Sequence, residues 1–421
     1  LGDTFTAKKE WKPDGFAPAP ESVTVHWQLF QKVGTAEPTA YGEPVELNGV
    51  IDPGDFTTDN GENEPWSYIW HDLPATVDGV PAKYLIKEVA PFPDGYQYDA
   101  VSSASSVAIN YSLLTEFTAT KKWLNGPRPA VVFQLWRTWE GGTPEQVGDD
   151  VTLKGTGTGD GTATGELTPT DANTWHYKWV GLDRYQDTST IPPSKPYTYY
   201  VREILPDNYN QSPDDNTVTD TITNTYVIPT DATFTAQKDW GDHPSAVRPD
   251  IWFKLYRSYT PENETDPVTE EVPSSEVGGT PVQVPNTNKV EWTGLNATTI
   301  EGYPYTFSVV EGIMAGTTFV EGKPNIAYSE PKYIEATDTT PFIVQNSYTA
   351  TGSWTPKVSK KLTGRPLEAE DFTFTLTGNG QNQEKKNAAD GSIPFETINY
   401  TQADIGKEYI YTIKEVIPEP K

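Results

Sequence analysis

The chain has 421 residues, with 31 basic and 59 acidic side chains for a net charge of −28, and no cysteine. The acidic balance argues against nucleic acid or an anionic membrane surface as a partner, and the missing cysteines remove disulfides, thiolate metal sites and thiol nucleophiles. With 12% aromatic residues, 37 Pro and 33 Gly, the composition favours short strands and many turns, and at about one to two hundred residues per domain the length implies several all-β domains.

In chain order, the first block opens at residues 5–11 (FTAKKEW), followed by an alternating strand at 23–30 (VTVHWQLF) and an aromatic strand around Trp70 that ends at Leu73. A penultimate strand is expected at 84–88 (YLIKE) and a closing one around Asn110. The second block repeats this order: FTATKKW at 117–123, AVVFQLWR at 130–137, an aromatic strand with Trp179 and Leu182, YTYYVRE at 197–203, and Asn224 beside Tyr226. The third reads FTAQKDW at 234–240, DIWFKLYR at 250–257, VEWTGL ending at Leu295, YTFSVVE at 305–311, and Asn346 beside Tyr348. A fourth, variant block follows from Trp354, with no counterpart of the Asn-bearing strand after Glu415, so its completion is expected from outside this sequence.

Repeats of about 110 residues with about seven strands suit immunoglobulin-like sandwiches. The expected domains are 1–115, 116–228, 229–349 and 350–421, joined by short linkers into an elongated rod of tandem β-sandwich domains. Two insertions, the Gly/Thr-rich residues 152–173 and the acidic, Pro-rich residues 261–285, read as solvated loops, as does the acidic stretch 52–64 (DPGDFTTDNGENE). None of these matches the calcium-loop pattern. The four histidines, His26, His71, His176 and His243, are scattered, so no metal site or cofactor is expected. No apolar run is long enough to insert in a membrane and no signal-peptide pattern opens the chain.

Side chains two apart in a strand share a face, so Phe5, Ala7, Lys9 and Trp11 point one way. Lys121, Lys238 and Lys360 sit in the same register, which places a lysine on each apolar face. The strands ending in Glu88, Glu203, Glu311 and Glu415 place a glutamate on the apolar face as well. In the closing strands Asn224 and Asn346 join Ile222 and Val344, while Asn110 fits less well because Tyr111 is adjacent rather than two residues on. Recurrent buried charges have two explanations. One is a Lys/Glu ion pair with an Asn hydrogen bond. The other is a reaction in which burial leaves a neutral amine and a neutral acid, and the amine attacks the Asn carboxamide to give an isopeptide bond and ammonia.

The segments FTATKKW, YTYYVRE and ITNTYV, with the aromatic strand and its Leu turn, resemble the B-type repeats of collagen-binding surface proteins (Cna B-type domains) of Gram-positive adhesins and pilins. The resemblance spans most of blocks one to three, and block four, with SKKLTGRPLEAEDFTFTL and YIYTIKEV, resembles the related pilin-type domain. It implies isopeptide bonds from Lys9 to Asn110, Lys121 to Asn224 and Lys238 to Asn346, with Glu88, Glu203 and Glu311 as their catalysts. Lys360 and Glu415 match the pattern, but their Asn is absent and Lys360 is left unpaired. The family implies an extracellular, cell-wall-anchored stalk with its anchor outside this sequence, other pilin or surface subunits as partners, and no turnover chemistry. Leu73 to Val77 (LPATV) resembles a sorting signal but coincides with the repeat's Leu turn.

The rival reading is an adhesin module that recognises a host extracellular-matrix protein or glycan through aromatics such as Trp136, Trp139 and Trp175. A site of that kind should occur once, whereas the Lys/Glu pair recurs in every block.

Overall fold

The structure, a computed structural model, describes residues 2–50, 65–155, 165–241, 243, 248–278 and 280–417. The acidic stretch 52–64 lies outside the described residues. The chain divides into two compact units, Leu1–Val227 and Ile228–Lys421.

Three opening strands, Asp3–Lys12, Leu114–Leu124 and Ala232–Asp239, alternate as their sequences require, with Ala7, Lys9, Trp11 and their counterparts buried. Each pairs antiparallel with its aromatic strand, Ser67–Leu73, Thr174–Asp183 or Lys289–Leu295. On its other side each pairs parallel with a closing strand, Val107–Ser112, Thr221–Tyr226 or Phe342–Gln345. A second sheet is built on Val25–Val33, Val131–Thr138 or Trp252–Tyr259. Each of these runs antiparallel to the glutamate strand, Val80–Val89, Thr198–Ile204 or Thr306–Ala315. The inner faces of the two sheets supply the core of each repeat, so the architecture is all-β and of the tandem sandwich kind.

The glutamate strand is not penultimate. Tyr96–Ala104 and Tyr209–Ser212 intervene in the first two repeats and Thr318–Glu321 and Lys332–Ile334 in the third. A closing strand parallel to the opening one lies in the other sheet, so the chain first crosses over and runs antiparallel beside its place.

Both insertions contain structure rather than loop alone. Gly165–Asp171 adds an antiparallel edge strand beside Thr174–Asp183. The Pro-rich stretch forms Val268–Glu271 at the edge of the second sheet and a one-turn helix, Ser274–Val277. Arg257 explains the second case, because its guanidinium donates to Glu270 and Glu276 at 2.7 Å each and pins the stretch to the sheet. No helix among the described residues is long and apolar enough to cross a membrane. Leu73 of the LPATV stretch is buried, at the end of the aromatic strand.

Within the first unit a single residue, Leu113, separates the closing strand of one repeat from the opening strand of the next. Arg184 brackets this joint. Its backbone N–H donates to Leu113 O at 2.7 Å, its guanidinium donates to Leu114 O at 2.8 and 3.1 Å, and it stacks 3.6 Å from the Phe16 ring. Gln97 adds a bond to Thr188 O at 3.0 Å. A joint with no slack and this many contacts holds two repeats in one orientation. The absence of cysteine allows spin labels at Glu37→Cys and Asp149→Cys, both exposed positions. Their distance distribution is expected to be narrow and to broaden at least twofold in Arg184→Ala. An unchanged width would show that Arg184 does not hold the joint.

The fourth repeat departs from the pattern. Pro356 cannot donate to a ladder, and the opening segment breaks into Thr351–Trp354 and Val358–Ser359, paired with Ile398–Thr401 and Ser392–Ile393. Among the described residues nothing pairs in parallel beside either piece. Trp354, expected inside, is 43% exposed, and among the described residues no closing strand covers that side of the sheet.

Candidate functional site

The site begins with alternation. The opening strand turns Lys9, Lys121 and Lys238 into the core, and the parallel closing strand places Trp11 opposite Asn110 and Trp123 opposite Asn224. In the third repeat the pairing runs to Asp239 opposite Gln345, and the next pair in that register is Trp240 with Asn346. The glutamates arrive from the facing sheet, where Glu88 pairs with Trp27, Glu203 with Phe133 and Glu311 with Phe253. Those three aromatics are fully buried, so each carboxyl enters from a packed wall.

The three groups meet in each core. Lys9 Nζ donates to Glu88 Oε2, and Asn110 Nδ2 donates to Glu88 Oε1 at 2.8 Å. Lys121 Nζ lies 3.0 Å from Glu203 Oε2, whose other oxygen accepts from Asn224 Nδ2. Lys238 Nζ lies 2.9 Å from Glu311 Oε2 and donates to Asn346 Oδ1. The lysine and glutamate side chains are fully buried in all three repeats. The third repeat holds its carboxamide in the opposite sense, with Asn346 Nδ2 donating to Ser329 O at 2.9 Å. In the first two, the carboxamide oxygens of Asn110 and Asn224 are buried with no hydrogen-bond partner among the described residues.

The misfit expected for Asn110 does not arise. Ala108, Asn110 and Ser112 form the inward set, and Ser112 takes the place that Tyr226 occupies in the second repeat. Tyr111 is half-buried on the other face. The fourth repeat brings Lys360 to 2.5 Å from Glu415, but both side chains are partly exposed, at 19% and 33%.

Burial drives the electrostatics. Desolvation pushes the Lys9 and Lys121 ammonium groups down to about 8 from their ordinary 10.5, against the opposing pull of Glu88 and Glu203, and it lowers Lys238 as well. Glu203 and Glu311 are pushed up by the same loss of water. Both shifts move the pair toward neutral amine and neutral acid, the forms that nucleophilic attack and proton transfer require.

Where Lys121 remains a free amine, as in Asn224→Ala, these shifts make stability pH-dependent. Between about pH 8 and 10.5 the unfolded chain holds the lysine proton that the folded chain has released, so stability is expected to rise across that window, by at most about 1.4 kcal/mol per pH unit. Glu203 acts in the opposite sense, since its folded form keeps a proton above its ordinary 4.5 and stability from this group falls as pH rises through its raised value. Chemical denaturation of wild type and variant across pH 7 to 11 isolates the lysine. A rise of equal size in both would show that Lys121 titrates in wild type too.

Residues 136–225 match the Cna protein B-type domain family, and this span includes Glu203 and Asn224. The match falls within the second repeat. Residues 356–417, which include Lys360 and Glu415, match the Spy0128-like isopeptide containing domain. No curated protein matches the chain at the sequence level. Among solved structures, the chain is similar to two B repeat units of the collagen binding protein of Staphylococcus aureus, at 18% identity over 99% of this chain and 94% of that one, with a TM-score of 0.27. It is similar to the full-length RrgB pilus protein of Streptococcus pneumoniae at 14% identity, covering 91% and 74%, with a TM-score of 0.14. The pilus adhesin SpaC of Lactobacillus rhamnosus GG gives 11% identity, 92% and 50% coverage, and a TM-score of 0.19.

The second repeat also shows what the aromatics do. Trp175 is buried in the core, Trp136 lies under the Arg202 guanidinium at 4.0 Å, and Trp139 packs edge-on against Tyr197. Trp175 is thus a core residue, and Trp136 and Trp139 are half-buried, each packed against a neighbour. Two sets of residues were not assigned a part in the site from the sequence, although both recur: the Trp two residues after each buried lysine, and the aromatic residue opposite each glutamate, which stands two residues before Leu29, Leu135 or Leu255.

Proposed function

We propose that the chain is a stalk region of a Gram-positive cell-surface adhesin or pilin, and that its first three repeats are self-crosslinked by isopeptide bonds Lys9–Asn110, Lys121–Asn224 and Lys238–Asn346. The observation that carries this reading is the convergence, three times, of an amine, a carboxyl and a carboxamide in a dry core, with burial pushing the lysines toward the neutral form. The families matched by two repeats, one of them described as isopeptide containing, support it.

In the reaction the neutral lysine Nζ attacks the Asn Cγ beside the protonated glutamate, whose carboxyl faces the leaving Nδ2 in the first two repeats. The glutamate relays a proton from the amine to the departing Nδ2. One Nζ–Cγ bond forms, the Cγ–Nδ2 bond breaks, and ammonia leaves. Each domain reacts once, so the glutamates Glu88, Glu203 and Glu311 are catalytic without turnover. Lys360 and Glu415 form the same pair without an Asn beside them, and Lys360 stays unlinked among the described residues.

Opening and closing strands are parallel neighbours, so tension applied at the two ends of a repeat shears that pair. A bond between them carries the load past the rest of the domain. Other surface or pilin subunits are the partners this role implies, on the outer face of a cell wall. Single-molecule pulling tests it: crosslinked repeats release no unfolding step, whereas an unlinked third repeat, whose Lys238 and Asn346 are 108 positions apart, releases about 35 nm at roughly 3.3 Å per residue. Wild-type steps of that length would overturn the role.

A further inference from the structure

Resting on the crosslink reading, the geometry points to Trp11, Trp123 and Trp240 as positioning residues for bond formation. The lysine amine lies over the ring of the Trp two residues further on in each repeat, at 5.0 Å from the ring centre of Trp11, 4.4 Å from Trp123 and 4.8 Å from Trp240. The parallel register hangs the same indole beside the asparagine from the neighbouring strand. A lysine two residues upstream on the same face therefore reaches along the indole toward the carboxamide. A flexible four-carbon stem has many rotamers, and the flat ring removes those that turn the amine away from glutamate and asparagine.

The indoles are themselves held. Trp11 meets Trp66 and Tyr96 edge-on at 5.0 and 4.8 Å, and Trp123 meets Trp175 and Tyr209 edge-on at 5.3 and 5.2 Å. Trp240 lies edge-on to Tyr328 at 5.8 Å. All three are buried, so the ring also keeps water from the amine. A cation over an aromatic face is stabilised by it, which opposes loss of the proton. Desolvation is the largest influence on both amines, lowering Lys9 and Lys121 to about 8 against the pull of their glutamates. The ring's contribution is placement and dryness rather than activation by charge. The fourth repeat has Leu362 at this position. There the Lys360 amine lies over Phe372, just before the strand Thr373–Gly378, and remains partly exposed.

The test uses the whole chain with Trp123→Phe, Trp123→Leu and, as a folded unlinked reference, Asn224→Ala. Peptide mapping reads the fraction of Lys121 joined to Asn224, and the first and third crosslinks serve as internal standards. Hydrogen exchange of the second repeat scores folding. The Phe variant, which keeps a ring face, is expected to retain more than half of the crosslink, and the Leu variant, folded like the reference, to lose it at least tenfold. Should the Leu variant fail to fold, Trp240→Leu with Trp240→Phe applies the same criterion to the third repeat. A folded Leu variant that crosslinks fully, or a folded Phe variant that does not, overturns the positioning role. If wild type itself keeps Lys121 and Asn224 separate, the crosslink reading has failed and this role falls with it.

Discussion

The denatured chain is expected to weigh about 51 Da less than its sequence, three ammonias at about 17 Da each, because every amine attack on a carboxamide expels one. Single substitutions should return the deficit in steps. Asn110→Ala, Asn224→Ala and Asn346→Ala each remove one electrophile and restore about 17 Da, and a digest should show one crosslinked peptide pair fewer. Glu203→Gln is the sharper variant. It keeps both reacting groups and nearly the same shape but cannot relay a proton, so Lys121 and Asn224 should stay separate at an unchanged fold. The full sequence mass in wild type would leave three buried ion pairs in a plain sandwich repeat. A deficit of about 34 Da with Lys9 free would confine the chemistry to the second and third repeats.

The second large effect is on stability. Asn224→Ala removes the crosslink while leaving the Lys121–Glu203 pair in place, so the measured loss is not confused with an uncompensated buried charge. A closed loop of about a hundred residues restricts the unfolded chain as a disulfide does, which corresponds to about 4 to 5 kcal/mol at 25 °C. For one sandwich of about a hundred residues that is a fall in Tm of about 15 to 30 °C in the second repeat. Hydrogen exchange on a temperature ramp resolves the repeats separately and shows whether the first and third are unchanged. A fall of only about 5 °C would mean that no covalent tie exists there, since losing one hydrogen-bonding side chain costs about 1 kcal/mol.

Much of the site was legible before the fold. Period-two alternation is a property of a single strand, so Lys121 beside Ala119 and Trp123 on one face, and Glu203 beside Val201 and Tyr199 on another, follow from spacing alone. Asn110 was less legible because the signal was a neighbouring tyrosine. The structure shows that the inward position is defined by Ala108 and Ser112, and Tyr111 simply packs on the other face. The edge strands in the two insertions escaped the sequence because Gly, Thr, Pro and acidic residues read as loop. Arg257 makes the Pro-rich one a strand through partners 13 and 19 positions away.

The sequence by itself determined the repeat and, in the first three blocks, which side chains of the opening and glutamate strands face inward, because those depend on local backbone geometry and apolar pattern. Only the tertiary structure decided that the closing strand lies parallel beside the opening one, and that the glutamate comes from the facing sheet. It also decided that the fourth repeat leaves Lys360 and Glu415 partly exposed. Those outcomes depend on pairings between residues 79 positions apart for Lys9 and Glu88 and 108 for Lys238 and Asn346. No local rule fixes such pairings, and they are set by which sheets can close over a common core.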